Sequence, residues 1–579
     1  MNHIKLPLSA TALAIFTIAA CQLDGPGDGT TGDDTAAATA ALTTDDATAA
    51  LDDACGADAT MVVTPAVIPP TPTGVPVTLD VAVTNPDPAS CAARSFQLHI
   101  VDTGLLFVPR PDAPGVPSTI VPLASGVTAH VTVTATAPAS ADPGDVIPVS
   151  FNVTEAPPPG QGQPPVIILP PQPGDGIPFT VAGVPGCQVS ASHELMITST
   201  SVVDDPIRTA FDPGSRDPRN GVWTFKRLAE GIARTPQDAP AMVEAMLSSF
   251  NTAQTVNGFT VNARPGLQAQ VLASWPRTAS GQLDLARAPV TLLAIVNRFD
   301  LRDLTNGDAG EGRFVFAFNL EPLPDAPPPL ATIIFEYKLP ATQDRDVMRW
   351  AEAFHLLGSL PFGERYNLVL QAITETFTRR GARPGHPNGS AINAVRTDEI
   401  PFGDNNLWEL REFHLSPSSG RLEPSPLELT PDLSFNNSAV LAAYITANQP
   451  AIIAETQDLP VALDGAPFKA GAVFNDLRTW FAPGVDGEAR HHFAINTCNG
   501  CHSVQETGTP FLHLAPRPAG AESLRSRWLT GTVINDPATG ALRSFDDLGR
   551  RKADLKAIVC SGSDGPPRGK LRKGIHRSH

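Results

Sequence analysis

The sequence is poor in several features whose scarcity excludes whole classes of protein. Its 41 Lys and Arg against 59 Asp and Glu leave a net charge of −18, which argues against nucleic acid as a partner. Beyond one apolar run near the N-terminus, no stretch approaches the roughly 18 consecutive apolar residues of a membrane-spanning helix. No G-x-S-x-G elbow, H-E-x-x-H helix or P-loop occurs, so no catalytic signature identifies an enzyme.

Cysteines are also few, at 7 in 579 residues, yet two of them stand in the pentad Cys498-Asn-Gly-Cys501-His502. Two thiols three positions apart, followed at once by an imidazole, match the C-x-x-C-H pattern of covalent haem attachment. Cys498 and Cys501 then form thioethers with the haem vinyl groups, and His502 is the proximal iron ligand. The pattern predicts haem c as the cofactor and single-electron transfer as the function.

No methionine follows the pentad, because the last one in the chain is Met348. The downstream Met that completes the iron in many single-haem cytochromes is therefore missing. His513 is the candidate for the distal iron position, since the 11 residues after His502 span roughly 36 Å when extended. Otherwise the sixth position is open, and an open site could bind or reduce small oxidants.

Two other interpretations of the pentad remain open. In the first, Cys498 and Cys501 form a disulfide, and the protein is a redox-inactive surface protein whose body binds an extracellular partner or polymer. A Zn site needs both thiols together with two of four nearby histidines, namely His491, His492, His502 and His513.

The N-terminus predicts export. Residues 1–21 combine Lys5 with an apolar run that is too short to span a bilayer. The run ends in Ile18-Ala19-Ala20-Cys21, which resembles the lipobox of bacterial lipoproteins. The resemblance implies a lipid on Cys21 that attaches the chain to the outer or inner membrane of the cell envelope. Gln22 after the Cys favours the outer membrane, and residues 22–54 form a solvated Ala/Thr/Asp tether.

An exported chain meets oxidising conditions, which pair its remaining cysteines. Setting aside Cys21 and the pentad leaves four, and their positions favour Cys55 with Cys91 and Cys187 with Cys560. Sequence alone leaves the connectivity open.

Residues 55–182 predict an all-β sandwich. Alternating apolar and polar residues occupy 76–85, 127–136 and 147–153, and turn residues bound each run. The stretch from Val83-Thr-Asn-Pro-Asp-Pro to Cys91 is similar to the Ig-like domains appended to secreted bacterial hydrolases. That resemblance implies a spacing or binding role and no reaction.

The rest of the chain predicts an α+β domain over 187–471, a small and mostly helical cytochrome c-like module over 472–560, and a basic disordered tail over 561–579. Helices are expected at 345–358, 365–378, 473–481, 487–497 and 522–529, and strands at 290–297, 313–319 and 331–337. The phrases Ile295-Val-Asn-Arg-Phe-Asp-Leu and Trp408-Glu-Leu-Arg-Glu-Phe resemble uncharacterised exported bacterial proteins with a C-terminal Cys-x-x-Cys-His. This resemblance implies the order of the domains along the chain and leaves the activity of residues 187–471 unassigned.

Overall fold

The computed structural model describes residues 55–100, 104–108, 120–155, 176–182, 187–212, 214, 221–320, 330–400, 408–475, 479–509 and 512–560. The predicted signal peptide with Cys21, the tether and the basic tail lie outside these residues. The described chain is multidomain and rich in antiparallel β-sheet. None of the helices in its described part is long and apolar enough to cross a membrane.

The N-terminal region consists of strands that share one hydrophobic core. Its strands are β1 (Thr60–Thr64), β2 (Pro76–Thr84), β3 (Arg94–Ile100), β4 (Leu106–Val108), β5 (Ile120–Leu123), β6 (Thr128–Thr136), β7 (Val146–Val149), β8 (Phe151–Glu155) and β9 (Ile177–Thr180). They form sheets of order β1-β2-β6-β4, β5-β3-β8 and β7-β9. Alternation along β2 buries Leu79, Val81 and Val83 against residues of the other sheets, such as Phe96.

The strands expected at 76–85 and 127–136 are confirmed as β2 and β6. The single strand expected over 147–153 is wrong, because the chain changes sheet at Ser150. β7 pairs with β9, whereas β8 pairs with β3.

The central body is organised around one large antiparallel sheet. The strands of the body and of the C-terminal region are β10 (Met196–Ile197), β11 (Gln254–Val256), β12 (Phe259–Val261), β13 (Val290–Arg298), β14 (Asp308–Phe318), β15 (Leu330–Pro340), β16 (Ile392–Ile400), β17 (Trp408–Leu415), β18 (Leu422–Ser425), β19 (Ala462–Leu463), β20 (Ala466–Pro467), β21 (Val473–Asn475), β22 (Thr532–Asn535) and β23 (Leu542–Phe545). The large sheet has the order β10-β13-β14-β15-β16-β17-β18, and β21 also pairs with β17. The strands expected at 290–297, 313–319 and 331–337 are confirmed as β13, β14 and β15.

Helices pack on the body and connect its strands. They are Thr200–Val203, Pro206–Thr209, Phe225–Ile232, Ala239–Ser248, Pro265–Leu267, Asp344–His355, Glu364–Thr378, Ala439–Ala447, Gln449–Ile453, Gly487–Ile495, Cys498–Cys501, Val504–Thr507, Arg527–Thr530 and Asp547–Val559. The helices expected at 345–358 and 365–378 are confirmed as Asp344–His355 and Glu364–Thr378.

The two faces of the large sheet differ in chemistry. One face is aromatic, and Phe225 and Phe377 from two helices pack there on Phe314, Phe335 and their neighbours. The opposite face carries buried charges, including Arg298, Arg313, Glu336 and Arg396, which pair with one another or with nearby acids. Because successive side chains of a strand alternate between faces, one set of strands supplies both surfaces.

Residues 472–560 cover the charged face and share the main hydrophobic cluster of the body. The helix expected at 473–481 is wrong, because Val473–Asn475 forms β21 and pairs with Trp408–Leu410. The helix expected at 522–529 begins only at Arg527. The helix expected at 487–497 is confirmed as Gly487–Ile495.

A disulfide and an ion pair fix the C-terminal helix Asp547–Val559. Cys560, directly after the helix, is bonded to Cys187 with Cα atoms 5.7 Å apart, as expected. Lys552 Nζ lies 3.0 Å from Asp142 Oδ1 in the N-terminal region. Cys55 and Cys91 are also disulfide-bonded.

Candidate functional site

The pentad lies on a single helical turn that Thr497 initiates. The helix Gly487–Ile495, which the Asp486 carboxylate caps through the Glu488 and Ala489 amides at 3.0 Å, leads into it. Thr497 Oγ1 then accepts a hydrogen bond from Gly500 N at 3.2 Å and begins the turn Cys498–Cys501. Both cysteines are buried.

Gly500 is required by close backbone approach. A Cβ on this residue would lie 2.0 Å from the carbonyl oxygen of Ala494, which belongs to the preceding helix. No side chain tolerates that distance, so the glycine between the two cysteines sets how tightly the turn packs.

His502 is buried and is held from several sides. Its ring stacks on Trp408 with centroids 4.5 Å apart, and its Nδ1 lies 3.8 Å from Asp398 Oδ2. Trp408 Nε1 donates a hydrogen bond to the same Asp398 carboxyl. Burial raises the pKa of Asp398 well above its usual range, with the Glu399 carboxylate adding to the effect. Asp398 and Trp408 therefore position the imidazole.

His513 lies next to His502, with ring centroids 4.3 Å apart. Its Nδ1 is 2.9 Å from Ser526 Oγ, and its Nε2 is 3.2 Å from the Cys501 sulfur. Burial and the nearby His502 lower the pKa of His513 well below its usual range, so this ring is neutral. The structure thus brings together His513, His502 and Cys501, which the sequence analysis had selected separately.

A cleft lies between these imidazoles and the charged face of the sheet. Residues that lie directly opposite each other on neighbouring strands form its floor. These pairs are Val296 with Arg313, Val315 with Ile334, and Thr332 with Asp398. The remaining lining residues come from β10, the end of β13 and the C-terminal region: Met196, Arg298, His502, His513, Leu514, Trp528, Leu529 and Arg551. Cys498 and Cys501 lie behind this wall and do not line the cleft.

The chemistry of these donors fits a haem c. Two thiols on one turn, two imidazoles and the thioether of Met196 are ligand types that such haems use. The cleft has a cavity volume of about 60 Å³, well below the roughly 300–1,000 Å³ of cofactor pockets. The donor types are thus present, whereas the cleft of the folded chain is smaller than a porphyrin.

A second cluster of potential metal ligands lies outside the cleft. Among the residues that the structure describes, ligand atoms of three or more His, Cys, Asp or Glu converge only at His491, Glu506 and Asp536. The Arg490 guanidinium already lies 2.9 Å from both carboxylates, so the cluster is an internally paired ion network. His492 is 3.0 Å from Glu455. These two histidines, which the Zn interpretation included as possible ligands, therefore contact carboxylates.

Sequence reasoning missed four residues around His502. Met196, Asp398, Trp408 and Arg551 come from distant parts of the chain, and only the pairing of the strands brings them together. A methionine ligand was expected downstream of the pentad, whereas Met196 lies far upstream in the chain and lines the cleft together with His502. The phrase around Trp408 was noticed, but nothing in it linked that ring to the pentad.

Comparison of this chain with protein families, with curated proteins and with solved structures finds no match.

Proposed function

We propose that this protein is an exported, lipid-anchored haem c protein of the bacterial cell envelope that passes single electrons. Cys498 and Cys501 are the thioether residues, and His502 is the proximal ligand. Cys21 carries the lipid that attaches the chain to the outer or inner membrane. The redox partner is another protein, and no residue pattern in the sequence indicates its class.

The observation that carries the proposal is the setting of the two cysteines. Cys498 and Cys501 lie on one helical turn, and His502 directly follows that turn. A bound haem supplies one-electron iron chemistry at this place. The chain's own residues orient the imidazole: Trp408 packs on its face, and Asp398 lies near Nδ1. Such outer partners fix the orientation of a ligating histidine.

The burial of Cys498 and Cys501 determines whether haem attachment comes before or after folding. Cys498 is fully buried and Cys501 is 1% exposed, so a porphyrin cannot reach either sulfur in the folded chain. Attachment therefore precedes the closure of the C-terminal region over the pentad. Protein that folds without haem should stay haem-free.

The strand order of the N-terminal region supports an Ig-like assignment for residues 55–182. The sheet order β1-β2-β6-β4 corresponds to the A-B-E-D sheet of an Ig fold, and β3 and β8 pair as C and F do. In the proposal this sandwich spaces the redox site from the lipid anchor.

Thiol counting in denaturant tests the proposal against its rivals. Protein expressed with a haem-attachment system should show haem staining after boiling, and Cys498 and Cys501 should not react with a thiol reagent with or without reductant. A disulfide between them predicts no stain and two thiols that appear only after reduction. The Cys498→Ala/Cys501→Ala variant should lose the stain, while His414→Gln, which alters a histidine bonded to Glu412, should keep it. An unstained parent whose C-terminal peptide carries an S–S bridge would refute the proposal.

A further inference from the structure

We propose that the cleft beneath His502 binds one carboxylate or other singly charged anion through Arg551, assisted by Arg298. The binding site is defined by the two arginines and does not require that haem be the ligand. Both residues line the cleft and come from different elements, Arg551 from the C-terminal helix and Arg298 from the end of β13.

The buried charges around Arg551 do not balance. Three guanidinium groups, of Arg298, Arg550 and Arg551, share two carboxylates, of Asp300 and Asp547. Arg298 and Arg550 lie 2.9 and 2.8 Å from Asp300, and both Arg550 and Arg551 pair with Asp547. Three positive charges against two negative ones leave one positive charge in excess. An anion with one charge would neutralise the group.

Arg551 carries the clearest sign of a missing partner. Its side chain is buried, and its Nε has no hydrogen-bond partner among the described residues. Leaving a buried donor unpaired costs free energy, so a ligand that accepts this hydrogen bond is favoured. Burial, with Arg298 nearby, lowers the pKa of Arg551 to about 9, as expected for a cation with too little compensating charge.

The other ionisable groups of the cleft do not supply the missing negative charge. Arg313 has its own partners, at 2.6 Å from Glu311 and 2.9 Å from Glu336. The Asp398 carboxyl is directed to Trp408 and His502. The planar fork of an arginine suits a carboxylate, which makes that group the expected ligand.

A carboxylate can come from two sources. One is a side-chain carboxylate of the haem in the proposed function, and the other is a free small anion that enters the cleft from solvent. Acetate is a suitable probe, because it carries one carboxylate and is small enough for the cleft.

The first experiment uses the haem-free Cys498→Ser/Cys501→Ser protein, in which acetate binding is measured by calorimetry at constant ionic strength. Adding Arg551→Gln should weaken binding by about tenfold or more. Adding Lys556→Gln, an exposed residue of the same helix, should leave it unchanged. If the haem-loaded protein no longer binds acetate, the haem carboxylate occupies the site; if it still does, the site takes a free anion.

The second experiment measures the midpoint potential of the haem-loaded protein. If the haem carboxylate is the ligand, Arg551→Gln should lower the midpoint potential relative to Lys556→Gln, because the variant loses a positive charge close to the haem. Absence of acetate binding by the haem-free protein, or acetate binding that Arg551→Gln leaves unchanged, would overturn the proposal whether or not the parent carries haem. Haem staining of the parent decides the proposed function separately, so the two can fail independently.

Discussion

The imidazole rings of His502 and His513 lie with centroids 4.3 Å apart and an angle of 57° between their planes. Both line one cleft, and the thiol of Cys501 contacts the second ring. The two histidines are 11 positions apart along the chain, and the helix Val504–Thr507 lies between them. This pair places two imidazoles in direct contact, and imidazole is a ligand type that haem iron uses.

His502→Ala should abolish the absorbance of a reduced haem, because it removes the proximal ligand, while the N-terminal sheets stay folded. Their separate hydrophobic core contains no residue of the pentad. Absorption spectra and far-UV circular dichroism measure the two properties on one sample. An unchanged reduced spectrum would count against the proximal role of His502.

Two further variants separate the candidates for the distal iron position. His513→Gln should convert the oxidised haem from low spin to high spin, whereas Met196→Leu, which keeps the volume of the side chain, should leave the spin state unchanged. Electron paramagnetic resonance measures the difference. The reverse result would assign the distal position to Met196, and no change in either would indicate an open sixth position.

Gly500→Ala should lower the free energy of unfolding by about 3 kcal/mol, the upper end of the cost of overpacking. The added methyl group would lie 2.0 Å from the Ala494 carbonyl oxygen, so the turn carrying both cysteines would have to move. Urea unfolding followed by tryptophan fluorescence measures the loss. Gly385→Ala is the control, because a Cβ there meets nothing within 4 Å. Equal stabilities of the two variants would show that the turn is adaptable.

The pentad could be found from the sequence because its pattern is local, with all three candidate residues within five positions. The cleft could not, because its floor depends on strand register. Val296, Ile334 and Asp398 share a face only through the pairing of β13 to β16. The same dependence explains the wrong helix at 473–481. Its apolar spacing is helical, yet Val473 and Phe474 pair with Leu410 and Glu409 on β17. Tertiary pairing overrides such a short local pattern.

Glu399 should make the protein less stable as the pH rises. It lies directly opposite Glu409 in the pairing of β16 with β17, and burial together with this neighbour raises the pKa of Glu399 to about 8. The unfolded chain ionises this residue near its ordinary value of about 4.3, whereas the folded chain keeps it protonated up to about pH 8. Over that range the unfolded state binds fewer protons, so the free energy of unfolding falls as the pH rises and then levels off.

Glu399→Gln removes this titration. The variant should be more stable than the parent at pH 8.5, by at least about 1.4 kcal/mol, the equivalent of one pKa unit. The difference should shrink towards pH 5, as measured by urea unfolding at several pH values. Glu423→Gln, at an exposed position of β18, should keep the slope of the parent. A parallel pH dependence of Glu399→Gln and parent would show that the buried carboxyl does not carry the effect.

Cys187→Ser/Cys560→Ser should destabilise the C-terminal helix and, with it, the wall of the cleft. The disulfide closes a loop with a sequence separation of 373, and long loops lose the most entropy when cross-linked in the unfolded chain. The free energy of unfolding should fall by about 2–5 kcal/mol. Because Cys560 directly follows the helix that carries Arg551, hydrogen exchange at Leu555 and Ile558 should rise more than at Val81 in the N-terminal sheets. Lys552 still binds Asp142 in the variant, so the start of the helix should remain protected. Uniformly faster exchange over the whole chain would instead mean that the disulfide stabilises the fold globally and does not specifically hold this helix.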